Sequence, residues 1–403
     1  DLTVAQNLFL GHSPSVAGLV RRRARRQAAQ GFLDRVGATF SPDAVVGSLP
    51  IADQQLTAIA RALTVDARLI VMDEPTATLG DDDVEKVFRV IRGLVAEGRS
   101  VIYISHRLDE VRAIGDRITV LRDGVDVARH EVAATTPDQW ISDMIGDKKS
   151  ELTAANDRPR PTGDPYLDIE RVTIPGVLDV EDVTVRKGEI VGLAGLGGAG
   201  RTTLLSAVFG ARSSQSRVRV GGRDVSPRSV RQATAAGFGL VPESRKTEGL
   251  MLGLSVARNA AISSIGTAPY VMPHRRGVAI TTPVLAGLGV KHSGPGQIVG
   301  QLSGGNQQKV VLAKWLARGI RILLLDEPTR GLDIGAKADL YRQVRALADS
   351  GAAVLVASSE LSELVANADR IIVLHEGRKV GEFDPRSDTE DTITHAIISG
   401  KIA

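Results

Sequence analysis

The chain carries the same text twice, and this internal repeat limits the folds that are open to it. LPIADQQ from Leu49 corresponds to LSGGNQQ from Leu302, and the apolar run of LIVMDEPT ends at Asp73 as that of LLLDEPT ends at Asp326. Both pairs are 253 residues apart. Self-similarity at one fixed spacing indicates a structural unit that is built twice. Each half of the chain is therefore expected to fold as a copy of the other.

The first copy begins later in its unit than the second copy does. DRITVLRDG and DRIIVLHEG keep the spacing of 253 at Gly124 and Gly377, and DLTVAQN from Asp1 matches GLSVARN from Gly253 at a spacing of 252. The second copy already begins near Leu167, so about 86 residues, 167 to 252, have no partner in the first. Since there is also no initiator methionine, we expect an N-terminal truncation whose missing part carries a phosphate loop.

Composition excludes several classes of site. The chain has 403 residues, of which 43% are hydrophobic and 24% charged, as is usual for globular proteins. It has no cysteine, which excludes disulfides, cysteine-ligated zinc and thiol catalysis. No apolar run reaches the ~18 residues needed to span a bilayer. The formal net charge of +3 is too small to require a nucleic-acid partner.

Alternating strands and helices predict an α/β fold with a mainly parallel sheet, additional antiparallel strands and a helical subdomain. We assign residues 1–147 to the C-terminal part of the first copy, 148–165 to a polar, proline-containing linker and 166–403 to the complete second copy. The expected helices are 49–63, 81–97, one from Arg201 and most of 254–300. The expected strands are 69–73, 101–105, 118–121, 125–128, 166–172, 177–185 and 189–194, and we expect 69–73 and 189–194 to be buried.

A run of five arginines lies in a predicted helix of the first copy, at positions 21, 22, 23, 25 and 26. The simpler interpretation is a solvated helix face. A nucleic-acid patch is the alternative, but the run has no interleaved aromatic residues. We therefore predict no nucleic-acid partner.

Three stretches have the chemistry of a phosphate site. GLGGAGRTT fits the pattern G-x-x-x-x-G-K-[ST] except that arginine replaces lysine, which keeps the charge and changes its geometry. LSGGN is a glycine-rich turn that opens a helix, whose N-terminus suits phosphate. Each apolar run ends in Asp-Glu, which places one carboxylate near a Mg²⁺ and the next near an attacking water. The residues concerned are Gly195, Gly197, Gly198, Ala199, Gly200, Arg201, Thr202 and Thr203; Leu302, Ser303, Gly304, Gly305 and Asn306; Asp73, Glu74, Asp326 and Glu327.

These motifs together resemble the ATP-binding-cassette (ABC) ATPases. The resemblance implies two P-loop NTPase cassettes, the first incomplete, with ATP and Mg²⁺ as cofactors. It implies Mg²⁺ ligation by Thr202, Asp73 and Asp326, and catalytic roles for Glu74 and Glu327. It also implies a γ-phosphate contact for His106 in ISHRLDE, whose counterpart is Ser359 in ASSELSE, and it places Glu243 of VPESRK in the nucleotide-sensing loop.

The details resemble, more narrowly, the fused double-cassette ATP-binding subunits of bacterial monosaccharide importers. The pointers are GLGGAGRT with Arg201, VPESRK with Glu243, LSGGNQQK with Asn306 and the degenerate first signature at Leu49. The resemblance implies integral-membrane permease partners, an indirect solute-binding protein and a peripheral location on the cytoplasmic face of the inner membrane.

The same resemblance implies two unequal sites, because each ATP lies between the phosphate loop of one cassette and the signature of the other. One site would use Glu74, His106 and the signature from Leu302. The second would have three defects, namely Arg201, Ser359 and the altered first signature. We therefore expect hydrolysis mainly at one site of the intact protein and little activity in this chain.

Three other interpretations remain open. Double-cassette translation factors have a long charged linker, whereas this linker has about eighteen residues and contains proline. DNA-repair ABC ATPases insert zinc modules or coiled coils, for which this chain has neither cysteine nor an extended heptad run. A nucleotide-binding pseudo-ATPase would fit the second copy and also this chain as it stands.

Overall fold

The computed structural model describes residues 1–12, 14–16, 19–65, 67–76, 79, 81–105, 107–122, 124–145, 161–267 and 274–402. Within them the chain forms two compact units, Asp1–Met144 and Ile145–Ala403. Most of the predicted linker, residues 146–160, lies outside the described residues, as does His106. Each unit is described by itself.

A six-stranded sheet forms the centre of the second unit, in the order β12-β13-β14-β9-β15-β16. All neighbouring strands are parallel except the last pair, which is an antiparallel hairpin. Every residue of β9, β13 and β14 is buried, because helices cover both faces of a parallel sheet. The strands are β9 (Ile190–Ala194), β12 (Phe238–Val241), β13 (Ile322–Asp326), β14 (Ala353–Ala357), β15 (Arg370–His375) and β16 (Arg378–Phe383).

An antiparallel sheet of four strands, in the order β11-β10-β7-β8, completes the strands of this unit. The predicted strands 166–172 and 177–185 are confirmed with slightly different ends. The first starts at Pro165, one residue inside the predicted linker, where a proline is tolerated at the beginning of a strand. The strands are β7 (Pro165–Ile174), β8 (Leu178–Arg186), β10 (Gln215–Val220) and β11 (Arg223–Asp224).

The helices of the second unit confirm the predicted helix from Arg201 and the helical region before residue 300. That region contains α9, a 3-10 segment at Ile262–Thr267, α10 and a further 3-10 turn at Val299–Gln301. The helices are α7 (Arg201–Val208), α8 (Val230–Ala235), α9 (Val256–Ala261), α10 (His274–Gly287), α11 (Gly304–Leu316), α12 (Ile334–Asp349), α13 (Leu361–Asn367) and α14 (Glu390–Ser399).

The first unit repeats part of this architecture. Its helices are α1 (Val4–Leu8), α2 (Arg22–Arg35), α3 (Ile51–Leu63), α4 (Asp81–Ala96), α5 (Leu108–Ile114) and α6 (Pro137–Ile145). Its strands are β1 (Ser15–Val16), β2 (Leu19–Val20), β3 (Leu69–Asp73), β4 (Ser100–Ile104), β5 (Arg117–Arg122) and β6 (Val125–Glu131). The predicted hairpin is formed by β5 and β6. β3 pairs in parallel with β4, as β13 pairs with β14.

The expectation that residues 69–73 form a buried strand is wrong in one respect. The strand exists, but its residues alternate, and the side chains of Leu69 and Val71 are 52% and 59% exposed. Ile70 and Met72 face a core that also contains residues of α3 and α4. In the described part of the first unit, the two-stranded sheet is thus covered on one face only, and a strand in that setting alternates between buried and exposed.

The arginine run lies in the first turns of α2. The side chains of Arg22, Arg23 and Arg26 are exposed, as a solvated helix face predicts. Arg26 Nε lies 2.8 Å from Asp43 Oδ2, and both side chains are well exposed. Within the described ranges, no helix is long and apolar enough to cross a membrane.

Candidate functional site

The phosphate loop, Gly195–Thr203, connects the end of β9 to the start of α7. Gly195, Gly198 and Gly200 have φ angles of +155°, +85° and +104°, which side-chain-bearing residues rarely adopt. A Cβ on Gly200 would also lie 2.8 Å from Leu178 Cδ1. The glycines therefore allow the chain to turn tightly and point its backbone N–H groups inwards, as a phosphate cradle requires.

Arg201 and Glu327 face each other at the bottom of this loop. Arg201 Nη1 lies 3.0 Å from Glu327 Oε1, and the two side chains are only 10% and 13% exposed. Nη1 is nevertheless without a partner in hydrogen-bond geometry. The guanidinium is therefore held next to the carboxylate by charge and not by a well-aligned hydrogen bond.

Asp326 and Thr202 form the second pair of the site. Thr202 Oγ1 donates a hydrogen bond of 3.1 Å to Asp326 Oδ1. Burial raises the pKa of Asp326 from 3.8 to about 6; Glu327 and Glu248 raise it further, whereas the bond from Thr202 and the charge of Arg201 lower it.

A hydroxyl and a carboxylate that converge in this way fit Mg²⁺, which takes oxygen ligands and is commonly held by one carboxylate plus phosphates. The raised pKa of Asp326 agrees with that fit, because burial disfavours an ionised carboxylate that lacks a full counter-charge. Outside this pair, the described residues contain no cluster of three or more histidine or acidic side chains that would hold a metal by themselves.

The residue after each acidic strand has an unusual backbone. Glu74 and Glu327 both have φ of +44°, and each backbone N–H donates to the neighbouring strand, at Ile104 and Ala357 respectively, over 2.9 Å. The repeat thus preserves a strained bend, which costs about 1–3 kcal/mol for a residue with a side chain.

The predicted counterpart of His106 also reaches the carboxylate in the second unit. Ser359 Oγ donates a hydrogen bond of 3.0 Å to Glu327 Oε2. Glu327 is thus held by Arg201 on one oxygen and by Ser359 on the other. In the first unit Asp73 and Glu74 are exposed, and the contacts of His106 are outside the described residues.

The signature turn, Leu302–Asn306, is built as the sequence predicts. Leu302 is buried, Ser303 is exposed and extended, and α11 starts at Gly304 with no side-chain cap. Asn306 Nδ2 donates to Ser303 Oγ over 2.9 Å, which fixes the hydroxyl beside the free backbone N–H groups. A Cβ on Gly305 would lie 3.1 Å from Ala336 Cβ, so a larger residue would push α11 from its neighbour.

The corresponding turn of the first unit differs. Pro50 precedes α3 where Ser303 precedes α11, so both the hydroxyl and a backbone donor are absent there. Ala52 stands where Gly305 stands in the second copy. This turn therefore offers a phosphate fewer donors than its counterpart.

Glu243 lies on the surface of the predicted sensing loop and pairs with Arg330, which follows the acidic strand. Arg245 of the same loop donates to the carbonyl of Arg330 over 2.9 Å, and a Cβ on Gly304 would meet its Nη2 at 2.8 Å. Burial lowers the pKa of Arg245. The loop thus touches both the signature turn and the segment after β13.

Sequence reasoning missed two buried glutamates, Glu110 and Glu363, which are 3% and 8% exposed. Each accepts a hydrogen bond of 2.7 Å from the threonine of DEPT, Thr76 or Thr329. The repeat contained the signal, because the threonine and the glutamate are 34 residues apart in both copies.

Comparisons with known proteins agree with this geometry. The family model described as ABC transporter matches residues 178–330. Ribose import ATP-binding protein RbsA 2 of Streptomyces coelicolor is 42% identical over 402 residues, 99% of this chain and 77% of that protein. Arabinose import ATP-binding protein AraG 2 of Burkholderia ambifaria is 42% identical over 398 residues, 98% of this chain and 76% of that protein.

A solved structure of an ATP-binding cassette of an ABC transporter is similar in fold. It has a TM-score of 0.51 at 18% identity and covers 59% of this chain and 98% of its own chain. At that identity the likeness shows the α/β cassette fold and nothing more.

Proposed function

Because this chain belongs to the ABC transporter family, and within it to the ATP-binding proteins of sugar importers, we propose that it couples ATP to the uptake of a monosaccharide or a similar small solute. The observation that carries the proposal is the 42% identity to a ribose-import ATP-binding protein over 99% of the chain. That match covers both copies of the repeat. Members of this family bind and hydrolyse ATP, whereas the soluble translation-type and repair-type alternatives are not favoured.

The second unit supplies a nucleotide site. The backbone of Gly195–Gly200 and the guanidinium of Arg201 would bind the phosphates, and Thr202 with Asp326 would hold Mg²⁺. A bound Mg²⁺ would neutralise charge on the phosphate oxygens. Thr202 is exposed at the loop, so a ligand can reach its hydroxyl.

We infer that the nucleotide site of the second unit binds ATP more readily than it hydrolyses it. Glu327 is the carboxylate that would orient or deprotonate a water, but Arg201 lies 3.0 Å from one of its oxygens. Ser359 donates to the other oxygen and lacks the imidazole that the first copy has at position 106. Both carboxylate oxygens of Glu327 are thus already engaged by protein groups, and one of these contacts must open before the carboxylate can hold a water.

We propose that Asp73, Glu74 and His106 of the first copy belong to the more efficient nucleotide site. Permease subunits in the membrane would be the direct partners, with a solute-binding protein acting through them. The protein would then be peripheral on the cytoplasmic face of the membrane.

Two measurements test this proposal. The 403-residue chain should bind MgATP and MgADP in a fluorescence or calorimetric titration, and Thr202→Val should weaken both because it removes a magnesium ligand. The chain should also co-purify with the permease subunits of a sugar importer from the same organism and bind to membranes only when they are present. Failure to bind nucleotide, or equal binding to membranes without permease, would contradict the proposal.

A nucleotide-binding regulator is the second candidate function, and the Arg201–Glu327 pair favours it for the second unit alone. The two candidates differ in turnover with permease and solute-binding protein present. In a protein that carries both phosphate loops, a motor shows solute-stimulated ATP hydrolysis when the permease is added, whereas a regulator binds ATP with no such stimulation.

A further inference from the structure

A buried carboxylate lies behind the switch position in the second unit. Glu363 is 8% exposed, four residues after Ser359, and it takes no part in the nucleotide chemistry described above. One of its oxygens, Oε2, accepts three hydrogen bonds: from Thr329 Oγ1 at 2.7 Å, Ser358 Oγ at 3.1 Å and Tyr341 OH at 3.2 Å. These donors come from the loop after β13, the loop after β14 and helix α12.

The first unit contains the same arrangement. Glu110 is 3% exposed and lies four residues after His106. Its Oε2 accepts hydrogen bonds from Thr76 Oγ1 at 2.7 Å, Tyr103 OH at 2.7 Å and Ser105 Oγ at 2.9 Å. Both copies of the repeat thus place three hydroxyl donors around one carboxylate oxygen.

The tyrosine hydroxyl is supplied from different places in the two copies. Tyr103 is on β4, where the second copy has Val356, and Tyr341 is on α12, where the first copy has Phe88. The position of the hydroxyl is therefore kept although the residue that provides it has changed.

The cation beside the other carboxylate oxygen, Oε1, also comes from different positions in the two copies. Lys337 Nζ lies 2.8 Å from Glu363 Oε1, while Arg107 Nη1 lies 2.9 Å from Glu110 Oε1. The position of Lys337 is Val84 in the first copy, and the position of Arg107 is Glu360 in the second. The carboxylate thus has three hydroxyl donors and one cation in both copies, although the tyrosine and the cation come from different positions of the repeat.

We propose that Glu363, and Glu110 in the first copy, is a positioning residue that fixes the switch residue relative to the water-orienting glutamate. Thr329 lies two residues after Glu327, and Ser358 immediately precedes Ser359. By accepting from both hydroxyls, Glu363 fastens the two loops together and keeps Ser359 Oγ within 3.0 Å of Glu327. The inference rests on the proposed nucleotide site and adds that the response to a γ-phosphate depends on this clamp.

Glu363→Met, which removes both acceptor oxygens, tests the clamp, with Glu189→Met as the matched control. Glu189 is also buried, at 4% exposure, and accepts from Arg186 N and Arg370 Nε at the other end of β9. Both variants remove one charge from a buried, cation-paired carboxylate of the second unit. Only the first should reduce the ratio of MgATP to MgADP affinity, by about fivefold or more, since Glu363 bonds to the switch loop whereas Glu189 does not.

Hydrogen exchange in the nucleotide-free protein gives the second measurement. Amides of residues 358–360 should exchange faster in Glu363→Met than in the parent, whereas their exchange rates should be unchanged in Glu189→Met. If Glu363→Met does not fold, Thr329→Val should show both effects, and Thr329→Ser, which keeps the hydroxyl, should retain the parent's behaviour in both measurements.

The outcomes separate the two ideas. A wild-type chain that binds neither nucleotide refutes the proposed function. A wild-type chain that binds both, with an unchanged affinity ratio in Glu363→Met or an equal change in Glu189→Met, refutes the positioning role alone.

Discussion

Neutralising Asp326 should stabilise the second unit while it removes a ligand of the proposed magnesium site. The carboxylate is 3% exposed and accepts a hydrogen bond from Thr202 that an asparagine oxygen can also accept. Burial raises its pKa from 3.8 to about 6. The folded protein therefore holds the proton more tightly than the unfolded chain does, and the free energy of unfolding falls as pH rises through that window.

The size of the effect follows from the same pKa. A rise from 3.8 to about 6, at about 1.4 kcal/mol per pH unit, makes the ionised carboxylate cost about 3 kcal/mol at pH 8. At pH 5 the folded group is mostly protonated and the cost falls to about 1.6 kcal/mol. Asp326→Asn removes this cost, so its stabilisation should be about twice as large at pH 8 as at pH 5.

Urea unfolding in EDTA, followed by tryptophan fluorescence, measures this difference. The chain has two tryptophans, Trp140 in the first unit and Trp315 in the second, where it is 7% exposed and donates to Leu240 O over 2.7 Å. A Trp140→Phe background leaves Trp315 as the reporter for the unit that contains Asp326.

Asp164→Asn controls for the loss of one negative charge, because Asp164 is exposed in the same unit. It should change the midpoint little at either pH. An Asp326→Asn variant that is less stable than its parent at pH 8, or equally stabilised at pH 8 and pH 5, would show that burial does not dominate the energetics of this carboxylate.

Three further predictions concern the same unit. Arg201→Gln should weaken MgADP binding about tenfold or more, because a buried charge-assisted contact is lost. The MgADP affinity of Arg201→Lys should stay within about threefold of the parent's in a calorimetric titration. Equal losses in the two variants would contradict a role for the charge. Burial lowers the pKa of Lys314 from 10.5 to about 8, so the charged amine destabilises the folded state, fully below pH 8 and less as the pH rises. The free energy of unfolding of the parent should therefore rise by about 2 kcal/mol relative to that of Lys314→Met between pH 7 and 9.5, as measured by urea unfolding. A constant difference would refute this. Gly200→Ala should lower stability by about 2 kcal/mol or more, because φ is +104° and Leu178 is in the way, and Gly197→Ala, with open space around it, is the control.

Much of the fold could be predicted because its sequence pattern occurs in both copies of the repeat. Both copies predict the strand that ends at Asp326 and the helix that follows Ser303, and the structure has both. The phosphate loop could also be predicted, since its glycines occupy backbone conformations that the pattern requires.

The rest depended on contacts that a linear pattern does not contain. Burial of both faces of β3 was expected from its apolar residues, but exposure depends on which helices cover the sheet. The pairing of Arg201 with Glu327 joins residues 126 positions apart and needed side-chain geometry. Glu363 was missed because its partners come from three separate elements and one of them, Tyr341, has its counterpart on a different element in the first copy.

The left-handed bend at Glu327 has a practical consequence for trapping this protein with nucleotide in place. Any side chain at that position already carries the backbone cost, so replacing it with glutamine adds no new distortion and leaves an oxygen for Ser359 to bond. Glycine would instead relax the bend and stabilise the protein, but it would also remove the side chain. A change in nucleotide binding by a glycine variant would therefore combine the effect of a moved loop with that of the missing acid. For structural work on an uncleaved complex, the amide is the substitution that changes one thing at a time.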